Sequence, residues 1–446
     1  MVSKDGRSVP SGRVIIDLMR RREFLGTATL AAAQRLRSAN DRVTVGLIGC
    51  GGRGRYVAGL MREAPGVDFI ATADVYLPNA ERAKEWAGPA AAAYQDFRRL
   101  LDRKDVDAVL VATPDHWHAA IAVLACQAGK DVYVEKPLAH NVREGRAMVN
   151  GARRYNRIVQ AGMQHRSSPH FREVEQIVQS GALGKVHWVR VWNYANLFPQ
   201  GIGREPDSEV PAGLDWDFYL GPAPFVPFNR KRFLVTYRWF WDYSGGYITD
   251  FGTHRLDTVH QVMGVTAPKT IAASGARFSL QDAGEIPDVL QVTYEYPGFV
   301  LSYESCLLNG HGVGGRTPGM KYYNAKGAED RPNGMAFYGT NGALYADRIG
   351  YEVYPEPKGA IERKQMNTID ATKLHAANFI ECVRSRKQPN AEVETGHRST
   401  TVALLGNIAF KTGRKLRWNA AAEEFIDDSE ASKLLSRQAR KPWDLI

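Results

Sequence analysis

Six residues, Gly49-Cys50-Gly51-Gly52-Arg53-Gly54, follow directly on the apolar run Val43–Ile48 and constrain this chain more than any other feature. They fit the spacing G-x-G-x-x-G through Gly49, Gly51 and Gly54. In a strand–turn–helix unit the first glycine permits a tight turn and the second lets the backbone approach a pyrophosphate. The third allows helix and strand to pack closely. Residues 56–61 continue with helical character, and the opening turn of such a helix offers unpaired N–H groups to an anion. Alone the motif is weak; its place between a strand and a helix gives it weight. Cys50 fits the loop as a small side chain.

A second apolar run, Val67–Ala73, ends in Asp74, 20 residues beyond Gly54. A carboxylate there accepts bonds from the adenosine ribose hydroxyls and repels a 2′-phosphate. NAD(H) is therefore expected over NADP(H), although Arg53 and Arg55 pull the other way. A third strand, 106–112, ends in Thr113-Pro114-Asp115-His116-Trp117-His118, a helix follows over 119–128, and Asp131–Val134 forms the next strand. Strands alternating with helices predict a parallel, doubly wound sheet that binds ligands beyond the carboxyl ends of its strands. Thr113, Pro114 and Glu135-Lys136-Pro137 fall on that rim. A capped strand end explains an isolated Glu-Lys-Pro equally well, and a rim histidine such as His118 serves as a cofactor neighbour or as plain packing.

The second half opens with Gln164-His165-Arg166 and an amphipathic helix over 171–179, then a strand over 186–194. Alternation puts Trp188, Arg190, Trp192 and Tyr194 on one strand face, suited to a sugar pocket or a subunit contact. Residues 195–247 form a long insertion containing Trp216, Trp239 and Trp241, rings that stack on sugars or build an ordinary core. Then comes Gly245-Gly246-Tyr247-Ile248-Thr249-Asp250-Phe251-Gly252-Thr253-His254-Arg255-Leu256-Asp257. On a helix, Asp250 and His254 share a face, where a carboxylate fixes an imidazole's tautomer and readies it as a general base. A helix cap beside a satisfied histidine is the plainer reading. Further strands are expected over 270–278, 289–296, 299–308 and 335–338, a glycine-rich loop over 309–334, and helix over 371–411.

Composition narrows the function classes. Net charge is +10, but residues 1–42 hold nine Lys/Arg against four Asp/Glu, so half the excess lies there and no compact basic patch for nucleic acid remains. No apolar run approaches the ~18 residues of a membrane span. Cys50, Cys126, Cys306 and Cys382 are far apart, which suits neither a disulfide framework nor a metal site. Arg20-Arg21-Arg22-Glu23-Phe24-Leu25-Gly26 carries a twin-arginine pattern, with Ala31-Ala32-Ala33 as a cleavage site, so residues 1–42 read as an export leader and the protein as periplasmic. A disordered basic arm, which would leave the protein cytoplasmic, and a start at Met19 are the alternatives.

Taken together, GLIGCGGRG, Asp74, ATPDHWH, VEKP and DFGTHRLD, in that order, make residues 43–420 resemble the glucose–fructose oxidoreductase/inositol dehydrogenase (Gfo/Idh/MocA) family. The RREFL leader and the LDWDFYLGPAP, NFIECVRSRKQP and GNIAF segments are similar to its exported bacterial members. The resemblance implies an α/β protein with a Rossmann domain over 43–165 and a mixed, largely antiparallel α/β domain over 166–420, then a C-terminal tail over 421–446. It implies catalysis by Lys136, Asp250 and His254, with His254 or Lys136 as the proton acceptor. The cofactor set is then Gly49, Gly51, Gly52, Arg53, Gly54, Asp74, Thr113, Pro114, His118, Glu135, Lys136 and Gln164. The substrate set is Lys136, Arg166, Tyr194, Asp250 and His254, with no metal.

The activity so implied is NAD(H)-dependent oxidation of a secondary hydroxyl on a sugar or sugar derivative, by a homodimer or homotetramer. The rivals are a glycosidase working through transient NAD-mediated oxidation and a non-catalytic cofactor-binding sensor. The related glycosidases carry a His-Gly-Leu-Gly-Pro-type segment where this chain has Thr253-His254-Arg255-Leu256-Asp257, and the three retained catalytic residues speak against a sensor.

Overall fold

The computed structural model describes residues 42–311 and 332–446. The expected leader, Arg42 apart, and most of the glycine-rich segment 309–334 lie outside the described residues.

The first sheet has six strands: β1 (Val43–Ile48), β2 (Val67–Ala73), β3 (Ala92–Tyr94), β4 (Ala108–Val111), β5 (Asp131–Val134) and β6 (Val159–Ala161). All pair in parallel in the order β3-β2-β1-β4-β5-β6, the doubly wound Rossmann arrangement. β4 and β5 are buried at every position, as befits short apolar runs covered by helices on both faces. The helix Val142–Arg154 starts where Asn141 accepts the Glu144 N–H, and it buries Val142, Met148, Val149 and Ala152. The strand order reverses between β1 and β4, so the crevice beyond their carboxyl ends faces the second domain.

The second sheet comprises β7 (Trp188–Asn196), β8 (Thr270–Ala276), β9 (Val289–Tyr296), β10 (Phe299–Cys306), β11 (Leu308–Asn309), β12 (Asn333–Tyr338), β13 (Gly342–Asp347), β14 (Gly350–Pro355), β15 (Lys364–Asn367), β16 (Leu416–Asn419) and β17 (Glu424–Phe425). Its order is β15-β14-β13-β12-β7-β10-β9-β8-β16-β17, with β11 beside β7, and only β7 and β10 run parallel. The expected fold class is thus the observed one. Val189 and Val191 point into a core shared with Phe171, Leu256, Val259 and Leu405 from three helices. Trp188, Arg190 and Tyr194 lie on the opposite face, where Arg190 and the Tyr194 hydroxyl both bind Glu304 and Trp188 stacks on Tyr338.

Two local expectations change. The helix expected over 371–411 is two helices, Thr372–Ser385 and Val393–Thr412. Arg386 closes the first in a left-handed conformation, φ 58°, and Pro389 cannot continue it. Residues 421–446 fold back on the molecule, and Trp443 enters the core of the first domain, stacking on Phe218 with ring centroids 4.8 Å apart.

The insertion has a core of its own. Trp216, Tyr219, Phe228, Phe233, Phe240 and Tyr243 pack together, with Trp216 and Tyr219 stacked at 4.9 Å. It docks on the Asp115-His116-Trp117 run. Asp115 accepts the hydroxyls of Tyr237 and Ser244, His116 binds the Tyr219 carbonyl, and the Trp117 indole donates to the same oxygen.

Candidate active site

A cavity of about 640 Å³ runs from the glycine loop, along the carboxyl ends of β2, β4 and β5, to the first turns of the helix after Tyr247. At one end, Gly49 adopts φ +87°, and a Cβ on Gly54 would stand 2.2 Å from the Gly49 carbonyl oxygen, so these two glycines are required by the turn and by close packing. A Cβ on Gly51 or Gly52 would meet open space, leaving a bare backbone cradle above the helix Gly52–Arg62. Two buried donors in the cavity wall, Arg53 Nη2 and Thr113 Oγ1, have no hydrogen-bond partner among the described residues. A cradle with unsatisfied donors fits a pyrophosphate-bearing dinucleotide.

Asp74 lies at the β2 end of the cavity, where the sequence reading expects the adenosine ribose. Its carboxylate accepts the backbone N–H of Cys50 at 2.8 Å and of Tyr76 at 2.9 Å. Burial pushes its pKa up to about 6, against those two bonds. Oxygen lone pairs remain for ribose hydroxyls. Phe97, Trp117 and Phe218 wall this end, the last contributed by the insertion.

At the other end, Lys136 leaves β5 on the rim, with Glu135 bound to Arg53 at 2.8 Å. The Lys136 ammonium donates to the Asp250 carbonyl at 2.9 Å and to its carboxylate. Arg238, from the insertion, meets the second carboxylate oxygen at 3.2 Å. Burial would raise this carboxyl, but Lys136 and then Arg238 outweigh it and hold the pKa down to about 2. His254 lines the same end, 5% exposed, and burial followed by the Lys136 charge keeps its pKa well below the ordinary histidine value. The site therefore presents a neutral imidazole beside a fixed ammonium.

Asp250 does not orient His254, contrary to the expectation from their spacing. Residues Ile248–Gly252 form a π-helical turn ahead of the α-helix Thr253–Met263. Such a turn is wider than an α-turn and shifts the register of the side chains it carries.

Most of the expected site residues meet in the cavity: Gly49, Gly51, Gly52, Arg53, Asp74, Thr113, Pro114, Glu135, Lys136, Gln164, Asp250 and His254 all line it. Gly54 acts through packing, behind the loop. His118 is a brace rather than a wall: its two ring nitrogens lie 2.8 and 2.9 Å from the carbonyl oxygens of Pro137 and Thr113, between the β4 and β5 rims. Arg166 is turned away, committed to the buried Asp257 at 2.8 Å, and Tyr194 sits on the far face of the second sheet. Of the insertion's tryptophans only Trp239 reaches the cavity; Trp216 is core and Trp241 stacks on Phe410.

Sequence reading missed Arg238 and Arg348. Arg238 is embedded in the aromatic run Tyr237–Trp241 and carries no motif of its own. Arg348 lies in the turn between β13 and β14 and carries no local signal; with the Gln164 amide oriented to donate to the Gly162 carbonyl, Arg348 donates to that side chain at 2.8 Å.

A parallel Rossmann sheet with a phosphate cradle, joined at its rim to a largely antiparallel sheet domain that supplies ionisable groups, defines a two-domain dinucleotide-binding protein. Family models agree with each half. The oxidoreductase family's NAD-binding Rossmann fold matches residues 43–163, and its C-terminal alpha/beta domain matches 168–301 and 326–445. The chain belongs to the Gfo/Idh/MocA oxidoreductase family.

It is 24% identical over 393 residues to a myo-inositol 2-dehydrogenase of Thermotoga maritima, covering 86% of this chain and 99% of that protein. An uncharacterized oxidoreductase, YrbE of Bacillus subtilis, is 24% identical over 57% of this chain, and the match spans 64% of that protein. A glycosyl hydrolase family 109 protein of Saccharopolyspora erythraea is 33% identical over 44% of this chain and 47% of its own length. Among solved structures, a levoglucosan dehydrogenase in complex with NADH and levoglucosan superposes with TM-score 0.60 at 19% identity, covering 86% of this chain and 99% of the other. The likeness establishes the fold.

Proposed function

We propose that this protein is an NAD(H)-dependent oxidoreductase that acts on a secondary hydroxyl of a sugar or sugar derivative. The observation that carries the reading is that the buried His254 lines the same end of the cavity as an ammonium held by Asp250. NAD⁺ bound along the cavity would supply the hydride acceptor. His254 takes the hydroxyl proton on a ring nitrogen, and the Lys136 ammonium stabilises the oxygen as it gains negative charge and then becomes a carbonyl. Asp250 holds that ammonium in place. Asp74 favours NAD(H) over NADP(H) for the reasons of charge given above. The inositol and levoglucosan dehydrogenases among the similar proteins support a polyhydroxylated ring as substrate.

The leader at residues 1–42 belongs to the same proposal. A twin-arginine route exports folded protein, so the cofactor would be loaded before export and could not be replaced outside the inner membrane. Tight retention with internal recycling follows, and the insertion's Phe218, Phe233 and Tyr237 in the cavity wall support it. The test is to purify the protein without added cofactor, denature it and measure released nicotinamide. Incubation with a panel of sugars, following bound-NADH absorbance, then tests the oxidoreductase activity. Empty sites with strict dependence on added NAD⁺ would defeat recycling; no redox change with any sugar would defeat the activity.

A second reading, a glycosidase that oxidises its substrate transiently, is favoured by the 33% identity to the glycosyl hydrolase family 109 protein. Product masses separate the two, because only the glycosidase releases an aglycone.

A further inference from the structure

With Asp250 engaged by Lys136 and Arg238, no carboxylate among the described residues hydrogen-bonds His254. Its Nδ1 is buried without a hydrogen-bond partner among the described residues. A neutral imidazole carries one proton, and if the cleft-facing Nε2 is to accept a proton from substrate, that proton must already sit on Nδ1. A buried N–H left unmet is destabilising.

The neighbouring ring is His165, with its centroid 5.3 Å from that of His254 and its plane tilted by 32°. A chain of bonds determines its tautomer. Thr258 Oγ1 donates its only proton to the His254 carbonyl oxygen at 2.9 Å. His165 Nδ1, 2.9 Å from that same Oγ1, must therefore be the donor of the pair. His165 Nε2 is then a lone-pair acceptor, and it too is buried without a partner. An unmet donor and an unmet acceptor thus lie on adjacent buried rings. An imidazole–imidazole bond of ordinary length, ~3 Å between nitrogens, places the ring centres roughly 5 Å apart, and these two rings stand at that separation.

We propose that His165 is the positioning residue of His254: its Nε2 accepts the His254 Nδ1–H, fixes the tautomer and leaves Nε2 of His254 free to take the substrate proton. An uncharged partner does this without adding a negative charge beside Asp250. The inference rests on the reading of His254 as the proton acceptor.

Nitrogen-15 labelling of the imidazoles tests it directly, because long-range proton–nitrogen spectra report which ring nitrogen of each histidine carries the proton. His254→Gln and His165→Gln assign the two residues among the eleven histidines. The wild type is expected to show His254 protonated on Nδ1. His165→Phe, which keeps a ring against Phe171, should move that proton to Nε2 or mix the tautomers. It should also lower turnover by at least about tenfold with KM unchanged. His165→Gln, whose amide oxygen can take the place of the lone pair, should keep the Nδ1–H form. A wild-type His254 protonated on Nε2, or a tautomer indifferent to His165→Phe, overturns the proposal. If the Phe variant does not fold, the wild-type and Gln spectra still decide. Normal turnover in His254→Gln would instead defeat the reading of His254 as the base, a distinguishable failure.

Discussion

The ammonium of Lys136 is bonded to both the carboxylate and the backbone carbonyl of Asp250, 114 residues later in the chain. One side chain thus ties the rim of the Rossmann sheet to the π-helical turn of the second domain. Because Asp250 also receives Arg238 from the insertion, three segments meet at one partly buried carboxylate. Removing one partner of such a group leaves the other charge incompletely compensated, an effect of several kcal/mol when compensation is lost entirely.

Lys136→Met should leave Asp250 paired with Arg238, so the fold and the cofactor content are expected to persist. Turnover should fall by at least about 10²-fold, the scale of one electrostatic or acid–base group. Steady-state rates with the sugar identified by the panel, beside nicotinamide released on denaturation, check both halves. Near-normal turnover contradicts the role of Lys136.

Asp74→Ala removes a carboxylate that would accept ribose hydroxyls and repel a 2′-phosphate. The ratio of NADP(H) to NAD(H) dissociation constants should drop toward one, measured by titrating cofactor-depleted protein. An unchanged ratio means the ribose is held elsewhere.

The C-terminal segment should govern cofactor retention. Arg440 binds Asp217 at 2.7 Å and Trp443 stacks on Phe218, next to the cavity's adenosine end. The double variant Arg440→Ala/Trp443→Ala should release bound nicotinamide at least about tenfold faster, since it loosens the wall without touching the glycine loop. Equal release rates in dialysis would show that the C-terminal segment is only structural.

Stability should fall steeply on mild acidification. Burial lowers the pKa of His116, His140, His165, His170, His254, His260 and His375, so in the folded protein these seven stay neutral below the usual value of 6.5. Unfolding lets them bind protons, and stability is lost as pH falls, by about 1.4 kcal/mol per pH unit for each group. Asp74, raised by burial to about 6, and Asp115 and Asp242, also raised by burial, oppose this, but they are fewer than the seven histidines. A melting temperature that stays flat from pH 7 to pH 5 would contradict these neutral histidines.

A homo-oligomer formed through the outer face of the second sheet is expected. Trp188 is 37% exposed there, beside the Arg190–Glu304 pair. Trp188→Glu should shift the assembly toward monomer in light scattering at micromolar concentration. A wild-type monomer would remove the expectation.

What could be read along the chain was whatever is local. The run Val43–Ile48, the glycine loop, Asp74 at the end of β2 and Lys136 at the end of β5 are set by strand length, glycine conformation and the alternation of strand and helix. These act over a few residues and recur in order. Their meeting in one cavity follows from the rule that strand ends share a rim. The spacing of Asp250 and His254 was equally visible, but it presumed an α-turn, and the wider π-turn there is a tertiary outcome.

Tertiary structure decided which charges meet. Arg166 went to Asp257, Tyr194 to Glu304, and Arg238 to Asp250. The Asp115-His116-Trp117 run became the insertion's docking site, and Trp443 returned from the end of the chain to the first domain. Each of these partners sits on a different element from the residue it serves. An ion pair or ring contact of that kind forms only once packing has fixed the backbones on both sides. No periodicity within either segment carries the information, because the free energy that selects the partner comes from burying both together.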